Sequence, residues 1–207
     1  MNSNIIIKYC SYDQHLARIL TSIQDDLLQG IGCYIAGGSA LKLYLKQPLD
    51  GSDIDIWFKT QDDYERAVKL MVNHTLVTTT PNSATYIINK DATKYDFKES
   101  IQVQFIQRAF YPSEAEAVFA DFDFTICQVI FNNGRLLLST EAFRDIRDKI
   151  LRKNPNYEDE ITPFRFLKYM HRGYVPTIKL FNEVFIKDRE SLKKGDLEIK
   201  AANGYYG

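Results

Sequence analysis

The chain has 207 residues, and its 45% apolar content, with 13 Tyr and 13 Phe, suffices for one domain with its own core and a small appendage. A net charge of -1 excludes a globally polyanion-seeking protein, so any nucleic-acid contact must come from a local patch. The three cysteines, Cys10, Cys33 and Cys127, lack metal-ligand spacing and two sit in apolar runs, which reads as buried thiols in a reducing compartment.

The start Met1-Asn2-Ser3-Asn4-Ile5 lacks the basic region of a secretory signal, and no apolar run is long enough to span a membrane. The expected setting is soluble and cytoplasmic, without a membrane partner. Ile5 to Tyr9 reads as a short strand. Ser11 to Gln29 has helical periodicity, with Leu16, Ile19, Leu20, Ile23 and Leu27 on one face. Ser11 or Asp13 caps its start and Gly30 ends it. Gly32 to Ala36 predicts a buried strand, and Ser39 to Lys46 a short helix closed by Pro48. After the turn Leu49-Asp50-Gly51-Ser52, Asp53 to Phe58 predicts a strand. Thr60, with Asp63 in the capping-box position, starts a helix to about His74 that buries Tyr64, Ala67, Val68 and Met71.

A β-rich middle follows: Leu76 to Thr80, Ala84 to Asn89 and Ile101 to Ile106, with turns at Pro81-Asn82-Ser83 and near Asp91. Pro112 and Ser113 start a helix to about Phe119. Phe124 to Phe131 predicts a strand that turns through Asn132-Asn133-Gly134 into Arg135 to Leu138. Helices follow at Thr140 to Lys149, Pro163 to Arg172 and Pro176 to about Lys187. The pattern is α+β, then all-α. It divides the chain into a core over 1–150, a helical appendage over 151–190 and a loosely docked tail over 191–207.

Two stretches carry the chemistry. Ile35-Ala36-Gly37-Gly38-Ser39 reads as a strand, a Gly-Gly turn and a helix start, where free backbone N–H groups favour phosphate oxygens. Ser52-Asp53-Ile54-Asp55-Ile56-Trp57 alternates carboxylate and apolar residues, so Asp53 and Asp55 share one strand face. Two neighbouring carboxylates repel unless a cation lies between them. Together the stretches point to a nucleotide and metal-assisted phosphoryl or nucleotidyl transfer, with Mg²⁺ or Mn²⁺ on Asp53 and Asp55 and the phosphates on Gly37, Gly38 and Ser39. Read alone, each stretch is common: alternate surface carboxylates, or a tight turn.

At these residues the chain resembles the nucleotidyltransferase superfamily, the fold shared by DNA polymerase β, poly(A) polymerases, CCA-adding enzymes and antibiotic nucleotidyltransferases. Asp123-Phe124-Thr125-Ile126-Cys127 resembles the Asp-Phe-Thr-Ile-Asn segment of class II CCA-adding enzymes and bacterial poly(A) polymerases. The hairpin turn, the helix Glu141 to Lys149, and Pro163-Phe164-Arg165-Phe166-Leu167-Lys168 follow in that family's order, so the resemblance runs from about Ile31 to Tyr174. It implies a mixed sheet flanked by helices with a neck-like helical appendage over 151–190. It also implies an NTP as donor, Asp123 at the ribose, and Arg165 with Lys168 near the base or triphosphate.

Several positions depart from that pattern. Leu41 and Lys42 replace an Arg-Asp pair, Asp121 and Phe122 replace two arginines, and Ile161 and Thr162 replace the Glu-Asp pair that helps read the base. CCA addition is therefore not carried over. The strand that brings a third acid in the superfamily here holds Gln102 and Gln104, which can coordinate a cation but cannot act as a base. Glu99 or Asp123 are the possible replacements.

Other residues have plainer readings. Arg165, Lys168 and Arg172 fall on one helical face, fitting either a phosphate or nucleic-acid contact or a solvated basic face. Lys42 and Lys46 read as exposed helix lysines. His15, His74 and His171 lack ligand spacing, and Trp57, Tyr169, Tyr174 and Phe181 read as packing. The resulting expectation is a metal-dependent transfer of a nucleoside monophosphate to a hydroxyl of an RNA 3′ end, a protein or a small molecule. The alternative is an impaired relative that binds a nucleotide or a partner.

Overall fold

Alternation of apolar residues along short strands builds the centre of the molecule. The computed structural model describes residues 5–10, 15–49, 51–89, 100–118 and 122–193. Among them, strands β1 (Ile5–Tyr9), β2 (Cys33–Ala36), β3 (Ile54–Phe58), β4 (Thr75–Thr79), β5 (Ser83–Ile88), β6 (Ile101–Ile106), β7 (Val129–Asn132) and β8 (Arg135–Ser139) form one mixed sheet. Their order is β1-β8-β7-β2-β3-β6-β5-β4. Only β3 and β6 run parallel within it; the other neighbours are antiparallel. Helices α1 (His15–Ser22), α2 (Gly38–Tyr44), α3 (Gln61–Leu70), α4 (Glu114–Val118) and α5 (Thr140–Arg147) flank the sheet, and α6 (Pro163–His171) and α7 (Ile178–Lys193) follow it.

The fold class is α+β, as the sequence predicts. Ile54, Ile56 and Phe58 are fully buried on one face of β3, where the Phe58 ring meets Tyr64 of α3 and Phe105 of β6. Each such side chain contributes roughly 1.5–3 kcal/mol on burial. The opposite face of β3 carries Asp55 and Trp57, and Trp57 packs edge-on against Phe122 and obliquely against Tyr111.

Several element boundaries differ from the sequence reading. The first helix stops at Ser22 and continues as a π turn over Ile23–Leu27, which brings Gln24 and Leu28 inwards and leaves Ile19 and Leu27 half-buried. Gln24 then bonds Cys33 O, Asn132 Oδ1 and Asn133 N, fastening the helix to two strands. The helix expected to reach His74 ends at Leu70 and tightens into a 3-10 turn over Met71–Asn73. Phe124 to Phe131 is not one strand. Thr125–Cys127 forms a 3-10 turn, with Thr125 Oγ1 donating to the buried Asp145 carboxylate, and the strand begins at Val129. Asp63 does not close a capping box on the Thr60 backbone: Thr60 Oγ1 accepts from Asp63 N, while Asp63 Oδ1 accepts from Gly32 N at 2.9 Å.

A two-stranded parallel ribbon, β9 (Ile150–Leu151) with β10 (Val175–Pro176), escaped the sequence reading. It draws the C-terminal helices onto the sheet, and Phe166, Tyr169, Leu180 and Val184 belong to the same hydrophobic cluster as the strands. Helix α7 extends to Lys193, past the expected end at Lys187 and into the stretch expected as tail. The suggested caps Ser11 and Asp13, the turn near Asp91, Phe119, Glu99, Asp121 and the tail from residue 194 lie outside the described residues.

Candidate functional site

The strand pairing sets out the site. Ala36 on β2, Asp55 on β3, Gln104 on β6 and Thr85 on β5 stand in register, so their side chains form one row across one sheet face. At the end of β2 the chain turns at Gly37 with φ 70°, a backbone conformation that favours glycine, and α2 begins at Gly38. A Cβ on Gly37 would lie 3.4 Å from Asp55 Oδ2, so the turn runs directly over the carboxylate.

A cleft of about 260 Å³ opens on this face. Gly37, Gly38, Asp55, Trp57, Gln104, Arg108, Phe122, Asp123, Tyr157 and Arg165 are among its lining residues. The structure therefore brings together six residues singled out from sequence: Gly37, Gly38, Asp55 and Asp123, Arg165 from the distant α6, and Gln104, the possible third metal position. Asp53 stands immediately before β3. Gln102, two residues before Gln104 on β6, does not line the cleft. Ser39 is fully buried, its Oγ has no hydrogen-bond partner, and it is not among the lining residues.

The electrostatics centre on Asp55. Burial, and then the charge of Asp53, push its carboxyl up to about 7, although Arg165, Lys168 and Arg108 pull the other way. Burial raises Asp53 as well, with Lys168 opposing. Burial and the charges of Arg172 and Arg165 push the Lys168 ammonium down. The Asp53 and Asp55 carboxylates and the Gln104 amide oxygen are hard donors, of the kind that suits Mg²⁺ or Mn²⁺ rather than a soft metal. No group of three His, Cys, Asp or Glu side chains able to hold a metal occurs among the described residues.

Asp123 is 4% exposed at its side chain and pairs with Nε of Arg165 while accepting from its neighbour Phe124 N at 2.9 Å. Burial opposes the Arg165 charge, but the bond and charge of Asp123 outweigh it and hold the guanidinium above its ordinary value. Arg172 lies over the Tyr169 ring, 5.4 Å from the centroid.

Three residues that sequence reasoning missed or read otherwise belong to the site. Lys42 is 6% exposed rather than a solvated lysine; its Nζ donates to Leu49 O and to Ser52 Oγ, clamping α2 to the loop before the carboxylates. Trp57 both packs and lines the cleft, with Arg108 5.2 Å above its ring. Tyr157 reaches the cleft from the segment between α5 and α6, and no local motif marks it. A second cleft of about 350 Å³, lined by Gln24, Asp25, Gly32, Lys59 and Asn132 among others, is larger but contains neither the carboxylate pair nor the Gly-Gly turn.

A model of the family described as Gabija anti-defense 2 family protein matches residues 11–149. A protein described as Gabija anti-defense 2, from Bacillus phage SPbetaL7, is 25% identical over 185 residues, which cover 87% of this chain and 40% of that protein. Among solved structures, a CCA-adding enzyme in complex with CTP superposes with a TM-score of 0.58 at 16% identity, over 92% of this chain and 46% of that one. The Thermotoga maritima CCA-adding enzyme complexed with tRNA gives 0.56 at 16% identity, over 92% and 46%. The Bacillus stearothermophilus enzyme with CTP gives 0.54 at 17%, over 88% and 45%. The chain spans less than half the length of each of these relatives. At such identities the likeness shows the fold, which is that of the nucleotidyltransferases.

Proposed function

The chain belongs to the Gabija anti-defense 2 family, and from that membership and the cleft we propose that it counters the Gabija defence as a metal-dependent nucleotidyltransferase. It moves a nucleoside monophosphate from an NTP to an acceptor hydroxyl: the hydroxyl proton passes to solvent, the acceptor oxygen bonds to the α-phosphorus, the bond to the β-phosphate oxygen breaks, and pyrophosphate leaves. The acceptor is an RNA 3′ end, a protein side chain or a small molecule. The observation that carries this reading is Asp55 lying under the Gly37 turn, with Asp53 before it in the chain.

In this reading Asp53 and Asp55 hold Mg²⁺ or Mn²⁺, which when bound neutralises phosphate charge and orients the attacking oxygen. Gly37 and Gly38 let the triphosphate approach the backbone, with Ser39 behind them. Lys168 supplies positive charge beside the carboxylates. The Asp123–Arg165 pair closes one wall, placing Asp123 for the ribose and Arg165 for the base or triphosphate.

The test is transfer of label from ATP, CTP, GTP or UTP, with Mg²⁺ or Mn²⁺, to total RNA, lysate protein and small molecules. The wild type labels one acceptor class, and Asp53→Asn/Asp55→Asn does not. Label transfer that survives the double substitution sinks the reading. The presence of Gln104 rather than an acid beside Asp55 favours a second reading, a nucleotide- or partner-binding module without turnover. Nucleotide binding that depends on Asp55 with no labelled product in any pool would establish it.

A further inference from the structure

The cleft's charge balance bears on how many cations it holds. Asp53 and Asp55 contribute two negative charges, while Arg165, Lys168 and Arg108 act on Asp55 as neighbouring positive charges. One divalent cation cancels the carboxylate pair. A second would add two positive charges to a wall already rich in cations, where the further acid lining the cleft, Asp123, is already paired with Arg165.

The parallel pairing of β3 with β6 puts Gln104 directly beside Asp55, one strand spacing away on the same face. Among the described residues the Gln104 side chain has a single hydrogen bond, from Nε2 to Thr85 Oγ1 at 3.3 Å. Thr85 lies on β5, on the far side of Gln104 from Asp55. With Nε2 held by Thr85, the carbonyl oxygen Oε1 is the atom the side chain has left to offer a cation. A neutral oxygen donor is presented where an acid would have added a third negative charge.

We propose that Asp53, Asp55 and Gln104 form a site for a single divalent cation, with Gln104 Oε1 as its neutral ligand and Thr85 as the residue that orients it. The proposal rests on the metal-dependent reading of the cleft and goes beyond it in fixing the number of ions and the ligand from β6. It also assigns distinct parts to the two glutamines: Gln104 lines the cleft and Gln102 does not.

The experiment is a Mn²⁺ titration of the full chain without nucleotide, followed by electron paramagnetic resonance and calorimetry, so it does not depend on turnover. The wild type takes up one Mn²⁺ per chain. Gln104→Met, which keeps the side-chain length but removes the carbonyl, weakens uptake about tenfold; Gln104→Glu tightens it by a similar factor or admits a second ion. Gln102→Met leaves uptake unchanged. Thr85→Val, which frees the amide to rotate, weakens uptake severalfold, and circular dichroism confirms that each variant is folded. Two ions per wild-type chain, no ion at all, or a Gln104→Met variant that binds as the wild type does overturns the proposal. The first and third results leave nucleotidyl transfer standing, because that reading is decided by label transfer and its loss in the Asp53/Asp55 variant.

Discussion

The residue that governs the site electrostatically is Asp55. Its carboxyl titrates near 7 in the fold against 3.8 as the ordinary value, chiefly through burial. An acid raised in this way favours the folded state only while protonated. Its contribution is intact below about pH 4 and is lost as pH rises through about 7. In metal-free protein, Asp55→Asn should therefore raise stability by about 2 kcal/mol at pH 8 and change nothing near pH 4. Urea denaturation at both pH values measures this; coincident curves at pH 8 would show that the ionised carboxylate costs nothing. The Asp123–Arg165 pair works in the opposite sense. With Arg165→Met the nearly buried Asp123 carboxylate keeps Phe124 N and the Cys127 thiol but loses its charged partner, so the chain should lose about 2–3 kcal/mol. Asp123→Asn/Arg165→Met should recover most of that loss, and a double-mutant cycle in urea reads the coupling. At this scale the strand period was enough to separate Asp55 from Ile54 and Ile56, its neighbours on the opposite face of β3. It could not show that Lys42 is buried, because Lys42 finds its partners in the loop at Leu49 and Ser52, not on its own helix.

Among the elements, the strand-turn-helix from β2 into α2 sets the geometry over Asp55. Gly37 sits at φ 70° and ψ -132°, where a side chain is strained, and its amide donates to Val129 O at 3.1 Å. Gly38 has open space where a Cβ would stand. The two glycines should thus separate folding from binding. Gly37→Ala should cost about 1–3 kcal/mol and also impair the cleft. Gly38→Ala should leave the melting temperature unchanged or higher, since alanine suits a helix start, while weakening nucleotide affinity about tenfold if phosphate lies against this backbone. Thermal melts and a nucleotide-binding titration on the same two proteins decide it, and a Gly38→Ala variant that binds nucleotide normally removes the cradle. The hairpin β7–β8 was legible because Asn133 and Gly134, both at positive φ, are the residues such a turn requires. The π turn at Ile23–Leu27 and the 3-10 turn at Thr125–Cys127 were not. Their causes are Gln24 bonding two strands and Thr125 bonding Asp145, which are tertiary contacts invisible to local periodicity.

For the whole molecule, the alternation of β-rich and helical stretches conveyed the fold class, and the order of the motifs conveyed the likeness to the fold of the CCA-adding enzymes. The attachment of the C-terminal helices was hidden, because two-residue strands leave no pattern to read. In the structure that attachment is continuous. Val175 N donates to Lys149 O at 2.7 Å, Thr177 N to Leu151 O at 2.9 Å, and Asn154 Nδ2 to Phe122 O at 2.8 Å. The Phe124 ring meets Tyr169 edge-on at 5.2 Å, and Phe166 meets Phe185 at 5.3 Å. Arg165 then reaches Asp123 from a helix fixed in this way, so the cleft wall depends on the packing behind it. Phe166 is fully buried at that junction. Phe166→Ala should cost about 3–5 kcal/mol, and the loss should appear as one lowered transition rather than as early melting of the helices alone. Calorimetry combined with hydrogen exchange at amides of β2 and α6 provides the measurement: both sets should lose protection together. If the α6 amides exchange freely while β2 stays protected, the helices are an independent unit, and Arg165 is not held in the wall by the core.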